Sequence, residues 1–148
     1  MENNMILTRI TLWINRGIFA LLVLLIPTLP LLIRWFFDYR MLTGREMAVV
    51  LVAFYLCAVA VGIALWSMDQ LLRNILKGIV FVWENVQKVR IIQWCCAIVS
   101  LLCIPASVAY LPLIFLVVIM GFLALVVCVV AQVMKAAVAI REENDLTI

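Results

Sequence analysis

Histidine is absent from the 148-residue sequence, and charged side chains make up only 13% of it. Without histidine the usual proton shuttle at neutral pH is missing. No serine or cysteine has an acid or a base close to it in sequence, so the chain offers no activated nucleophile. We therefore predict that the protein is not an enzyme and that it binds no cofactor.

The five cysteines follow no metal-binding pattern. Cys57, Cys103 and Cys128 lie within apolar runs. Cys95 is followed directly by Cys96, and no C-x-x-C pair occurs. Zinc sites need such spacings, usually together with histidine, so no metal site is predicted. The cysteines are expected to act as small buried side chains, with a reactive thiol at Cys95 or Cys96 as the alternative.

Apolar residues make up 69% of the chain, and its mean hydropathy is +1.28. Soluble domains are about half apolar and about a quarter charged. With 11 basic and 8 acidic residues, this chain cannot cover a core with polar surface, so lipid must take the place of water. The basic residues are dispersed and form no block, which argues against direct nucleic-acid binding.

Four apolar runs contain no charged residue and are long enough to cross a bilayer, whose hydrocarbon core of about 30 Å needs roughly 20 helical residues. They are residues 17–33, 47–68, 94–110 and 113–134. The predicted fold class is all-α, an integral membrane bundle of four transmembrane helices. Residues 1–148 are expected to form a single membrane domain in contact with the lipid bilayer.

The first run needs to be distinguished from a secretory signal, because Arg9 and Arg16 precede it. It lacks an A-x-A-like cleavage site, and Arg34 ends it together with three aromatic residues, as at the end of a membrane span. We expect the run to be retained. Pro27 and Pro30 are expected to bend or loosen its second half.

Basic residues are divided unequally between the two ends of the spans. One side holds Arg9, Arg16, Arg73, Lys77, Lys88, Arg90, Lys135 and Arg141, and the other holds Arg34, Arg40 and Arg45. Because cytoplasmic loops carry the excess of lysine and arginine, both termini, the central loop 69–93 and the tail 135–148 are predicted to be cytoplasmic.

Small residues recur four positions apart in the second run. The pairs are Ala53 and Cys57, Ala58 and Gly62, and Ala60 and Ala64. Small side chains allow close approach of a neighbouring helix, so the second span is predicted to lie at the centre of the bundle. The first span has few small residues and is expected to pack at the periphery.

The central loop has the features of two helix ends. Asp69 precedes Arg73 by four residues, and Glu84 precedes Lys88 by four, an order that supports a helix. Both membrane helices are therefore expected to extend into the cytoplasm, with Gly78 ending the first of them.

Two apolar stripes lie on these extensions. They comprise Leu71, Leu72, Ile75, Leu76 and Ile79, and then Val82, Val86 and Val89. The stripes either pack on each other or on the inner leaflet, or they form a groove for a cytoplasmic partner. The tail continues as a helix and ends in an acidic and apolar peptide, which is either solvated or a recognition element.

Two stretches resemble a known family. The first is GIVFVWENV at 78–86, continuing to RII at 90–92 and WCC at 94–96, and the second is the ending EENDLTI at 142–148. In these stretches the chain is similar to domain-of-unknown-function family 2975, small bacterial four-span membrane proteins without an assigned activity. Members tend to carry threonine and an acid where this chain has Val82 and Trp83, so the usual cap of the third helix is expected to be missing.

The resemblance implies a bacterial cell membrane location. Its members are often encoded beside a small helix-turn-helix transcription regulator, which implies such a regulator as a cytoplasmic partner. The leading hypothesis is a non-enzymatic membrane protein that binds this partner through loop 69–93 and tail 135–148. The candidate binding residues are Asn85, Arg90, Glu143, Asn144 and Asp145.

Two other functions stay open at this point. A small oligomeric transporter or channel is the first, although the spans offer few polar groups, namely Ser67, Ser100, Ser107 and Gln132. A bacteriocin or toxin immunity protein is the second, and only the small size of the chain favours it.

Overall fold

A computed structural model describes residues 2–40 and 44–146, which form four helices and, within these ranges, no strand. The helices are α1 (Glu2–Arg40), α2 (Gly44–Leu76), α3 (Trp83–Ala109) and α4 (Leu113–Leu146). Each contains a stretch long and apolar enough to cross a membrane. The predicted all-α fold with four membrane-spanning helices is confirmed.

All four helices are longer than a bilayer requires. The shortest, α3, has 27 residues, and at about 1.5 Å per residue it reaches roughly 40 Å, against about 30 Å of hydrocarbon. The charged residues that follow the apolar runs of α2 and precede that of α3 are therefore helical. Both helices extend beyond their uncharged apolar runs, and the connection between them comprises residues 77–82 only.

The helices pack side by side in chain order. Close contacts join α1 to α2, α2 to α3, and α3 to α4 in the described part of the chain. The predicted inner position of α2 is confirmed, and α3 shares it because it also has two neighbours. The prediction that α1 lies at the periphery is confirmed as well, since in the described residues its backbone comes close to that of α2 alone.

Small residues of α2 form the centre of the packing. Ala53 belongs to one buried cluster, together with Leu29, Ile33, Val50 and Ala106. Cys57 and Ala60 belong to a second, together with Val99 and Cys103. Two thiols meet there, with the sulfurs of Cys57 and Cys103 3.8 Å apart. Small side chains on α2 thus let its neighbours approach closely, as their spacing predicts.

Helix α1 runs through Pro27 and Pro30 without a break. A proline cannot donate to the carbonyl four residues earlier, so Pro30 leaves the Ile26 carbonyl without its helical partner. The Tyr55 hydroxyl of α2 lies 3.4 Å from this oxygen and donates to it. A neighbouring helix therefore compensates for the missing hydrogen bond, as is usual for prolines at membrane depth.

Gly78 ends α2, as predicted. Its φ is +76°, a conformation that suits glycine. Its amide donates to the Ile75 carbonyl at 3.0 Å, and the Ile79 amide donates to the Asn74 carbonyl at 3.0 Å. This pair of bonds is the Schellman motif, which satisfies the last carbonyls of a helix. Helix α3 then starts after Val82 without a side-chain cap, which confirms the expected missing cap.

Replacing Gly78 by alanine is expected to lower the free energy of unfolding by about 1 kcal/mol, because a Cβ disfavours positive φ. No atom lies within 4 Å of the position that this Cβ would take, so backbone strain alone causes the loss. Thermal unfolding in detergent would measure it. Gly17→Ala is the matched control, since Gly17 is helical and equally open. An alanine there should be neutral or stabilising, and equal losses at the two sites would contradict the account.

Candidate interaction surface at the basic end

Most of the basic residues lie at one end of the bundle. This end comprises the N-terminal half of α1, the C-terminal part of α2, the connection 77–82, the start of α3 and the C-terminal half of α4, and we call it the basic end. Contacts across helices define it: Arg16 of α1 pairs with Asp69 of α2, and Trp83 of α3 bonds to Glu142 of α4. The central loop and the tail, which lie far apart in sequence, thus meet at one end of the protein.

Asn85 holds the connection in place. Its side-chain amide nitrogen donates to the carbonyls of Ile79 and Val80 at 2.8 Å each. Its oxygen accepts a bond from the Asn74 amide, also at 2.8 Å. The residue is 0% exposed. One side chain therefore joins the end of α2, the connection and the start of α3, and it satisfies carbonyls that no helix would satisfy.

The connection contacts the tail through two hydrogen bonds. The Trp83 indole nitrogen donates to a carboxylate oxygen of Glu142 at 2.6 Å. The Arg141 guanidinium donates to the Phe81 carbonyl at 3.5 Å. Val138, one turn before these tail residues, is buried. The C-terminal part of α4 is thus fixed against the start of α3.

A cavity of about 310 Å³ lies where the two segments meet. It is lined by Gly78, Ile79, Phe81, Val82, Trp83, Val138, Arg141 and Glu142. Phe81 and Trp83 remain 46% and 41% exposed. We call these eight residues the loop–tail surface. Exposed aromatic side chains beside an arginine are the composition found at the centre of protein interfaces.

The sequence-predicted binding residues occupy different environments. Arg90, Glu143 and Asn144 are exposed, whereas Asn85 is wholly buried. Asp145 lies within α4, but its side chain is outside the described residues. A partner cannot contact the Asn85 side chain in this structure, so its contribution is to hold the connection. The binding role of the exposed three stays a prediction.

Sequence reasoning did not select four members of the loop–tail surface: Phe81, Trp83, Arg141 and Glu142. Trp83 carried a usable signal, because tryptophan is among the residues that most often anchor protein interfaces. For the apolar stripes, Leu72, Val86 and Val89 are buried, as the packing interpretation predicts. Ile79, at the end of the first stripe, is exposed and belongs to the loop–tail surface.

A second polar cluster joins α1 to α2. The buried Asn15 amide donates to the Leu65 carbonyl at 3.1 Å. Asp69 accepts from Arg16 at 3.1 Å and pairs with Arg73 at 2.6 Å. The predicted Asp69–Arg73 pair is therefore present and gains a partner on another helix. Among the described residues no ion pair joins Glu84 to Lys88, the second predicted pair.

Four long apolar helices packed in this way define a multi-pass membrane protein. The family described as "Protein of unknown function (DUF2975)" matches residues 12–148, and the chain belongs to that family. The predicted family is thereby confirmed over nearly the whole chain. Searches of curated proteins and of solved structures found no match. Within the described residues, no group of three acidic or cysteine side chains could hold a metal ion.

Proposed function

We propose that this non-enzymatic membrane protein binds a cytoplasmic protein partner on its loop–tail surface. The Trp83–Glu142 hydrogen bond carries the proposal, because it joins two segments that are 59 residues apart into one surface. Phe81 and Trp83 would supply apolar anchors, and Arg141 and Glu142 would supply charge complementarity. Arg90, Glu143 and Asn144 are exposed residues at the same end that a partner could also contact.

The proposed location is the plasma membrane of a bacterium, with the basic end in the cytoplasm. Eight of the 11 lysine and arginine residues lie at this end, and the positive-inside rule favours the cytoplasm for it. Both termini would then be cytoplasmic, because four crossings return the chain to its starting side. A small helix-turn-helix transcription regulator is the proposed partner, supported by the family resemblance alone.

The test is capture of the purified regulator by tagged protein in detergent. Trp83→Ala should reduce the amount captured at least about tenfold, since truncating a buried interface tryptophan usually costs 2 kcal/mol or more. A chain truncated after Arg141 should lose capture to a similar degree. Trp94→Ala is the matched control, because Trp94 is also an exposed tryptophan of α3 but lies within its membrane run. Equal capture by all four proteins would exclude the loop–tail surface.

The transporter hypothesis gains no support from the polar groups at membrane depth. The Ser100 hydroxyl of α3 donates to the Val117 carbonyl of α4 at 2.9 Å. The Gln132 amide lies 3.5 Å from the Cys128 sulfur of its own helix. These groups satisfy hydrogen bonds within and between helices, so they serve packing.

A further inference from the structure

The cluster of Arg16, Asp69 and Arg73 stands at the boundary between hydrocarbon and water. Arg16 directly precedes the uncharged run 17–33, and Asp69 directly follows the uncharged run 47–68. Because charged side chains leave the hydrocarbon at such boundaries, the cluster lies at the depth of lipid headgroups. It is separate from the loop–tail surface, since no residue is shared between the two.

A cavity of about 160 Å³ opens at this cluster between α1 and α2. Its polar wall is formed by Asn15, Arg16, Asp69 and Arg73, and its apolar wall by Phe19, Leu65 and Trp66. Trp66 is exposed, as expected for a tryptophan at a membrane interface. A molecule in this cavity would therefore contact charged groups and apolar groups at the same time.

Asp69 contacts the guanidinium groups of both arginines. One of its carboxylate oxygens contacts Arg16 Nε at 3.1 Å, and the other contacts Arg73 Nη2 at 2.6 Å. The carboxylate is only 15% exposed, whereas the arginine side chains are 47% and 56% exposed. Each contact uses one nitrogen of a guanidinium that carries five N–H donors. Both arginines line the cavity, and each keeps N–H donors that these two contacts do not use.

We propose that this cavity binds the phosphodiester headgroup of an anionic phospholipid, with an acyl chain against Phe19 and Trp66. The cluster carries two positive charges and one negative charge, so a single phosphodiester neutralises it. Arginine matches phosphate oxygens with paired donors. Basic cavities between membrane helices bind acidic headgroups in this way. A zwitterionic lipid would place an ammonium group close to the same guanidiniums, which is unfavourable.

The experiment counts bound lipid by native mass spectrometry of the full chain in detergent. Phosphatidylglycerol and phosphatidylcholine with identical acyl chains are the probes, and the wild type should retain phosphatidylglycerol preferentially. The double variant Arg16→Gln/Arg73→Gln should bind about thirtyfold less phosphatidylglycerol, since two arginines near a headgroup together contribute about 2 kcal/mol. About half of each arginine side chain is exposed, and glutamine at either position can still donate to the Asp69 carboxylate. Circular dichroism of the double variant checks that its fold is intact.

The matched control is Arg9→Gln/Lys135→Gln, which removes the same charge from exposed positions at the same end. It should bind phosphatidylglycerol like the wild type. If this control loses phosphatidylglycerol binding equally, net charge explains the loss and the proposed site is excluded. Unchanged binding by Arg16→Gln/Arg73→Gln would also exclude the site. Inorganic phosphate is the third arm: if it displaces the lipid at millimolar concentration, the cavity is a phosphate site and the lipid assignment is wrong.

Discussion

Asn85→Ala is expected to lower the free energy of unfolding by about 3 kcal/mol. The wild-type side chain makes three hydrogen bonds of 2.8 Å in a place that water does not reach. Alanine would leave the Ile79 and Val80 carbonyls and the Asn74 amide without this partner. Each buried polar group left unsatisfied costs about 1–3 kcal/mol, although partial exposure of the connection reduces the total. Denaturant unfolding in detergent, followed by circular dichroism, would measure the loss.

The Asn85→Asp variant distinguishes the contribution of the hydrogen bonds to stability from the contribution of the volume that the side chain fills. Aspartate has nearly the same shape, but as a carboxylate it cannot donate to the two carbonyls and would bury a negative charge against them. We expect it to destabilise the protein at least as much as alanine does. Asn144→Ala is the control, because Asn144 is exposed on α4 and its loss should cost less than about 0.5 kcal/mol. Similar stability of Asn85→Asp and Asn144→Ala would show that the two bonds donated by Asn85 contribute little.

The four membrane helices and the turn at Gly78 could be predicted because each follows from local chemistry. A run without charge that is long enough to cross hydrocarbon has no other stable environment. Gly78 stands between two helical patterns, where the chain needs a residue that accepts positive φ, and it has a φ of +76°. The small residues of α2 predicted its inner position for a similar reason, since they bring backbones together wherever the partner helix lies.

The arrangement of polar residues at the basic end could not be predicted, because it depends on how the helices are aligned. Asn85 stands in a polar stretch, and only the path of residues 77–82 turns the Ile79 and Val80 carbonyls toward it. Asn15 meets the Leu65 carbonyl only because α1 and α2 are aligned at that height. Polar residue types indicate that hydrogen bonds are needed there, but they do not identify the partners.

The loop–tail surface could also be predicted from the sequence only in part. Sequence reasoning selected loop 69–93 and tail 135–148, and the structure brings residues of these two segments together. It did not identify Trp83 and Glu142 as the pair that joins them, since the alignment of α3 with α4 decides which side chains meet. It also selected Asn85 for a surface role, although this side chain is the most deeply buried polar group described.

Ala106→Leu is expected to lower the free energy of unfolding by about 2 kcal/mol through overpacking. Ala106 of α3 is 1% exposed and lies in a cluster with Leu29 and Ile33 of α1 and with Val50 and Ala53 of α2. Side chains of three helices meet there, so a larger side chain at this position must move α3 away from α1 and α2. The unfolding transition in detergent should shift to lower denaturant, with the helical content of the folded protein unchanged.

Ala20→Leu is the matched control for this overpacking, because Ala20 is exposed on the first membrane run. The same three added carbon atoms then enter lipid, where they displace no helix, and stability should change by less than about 0.5 kcal/mol. A loss below about 0.5 kcal/mol for Ala106→Leu as well would mean that the cluster around Ala106 is loosely packed. In that case the small residues of α2 would not explain why its neighbouring helices lie close. The frequency of small residues in this span would then follow from composition alone.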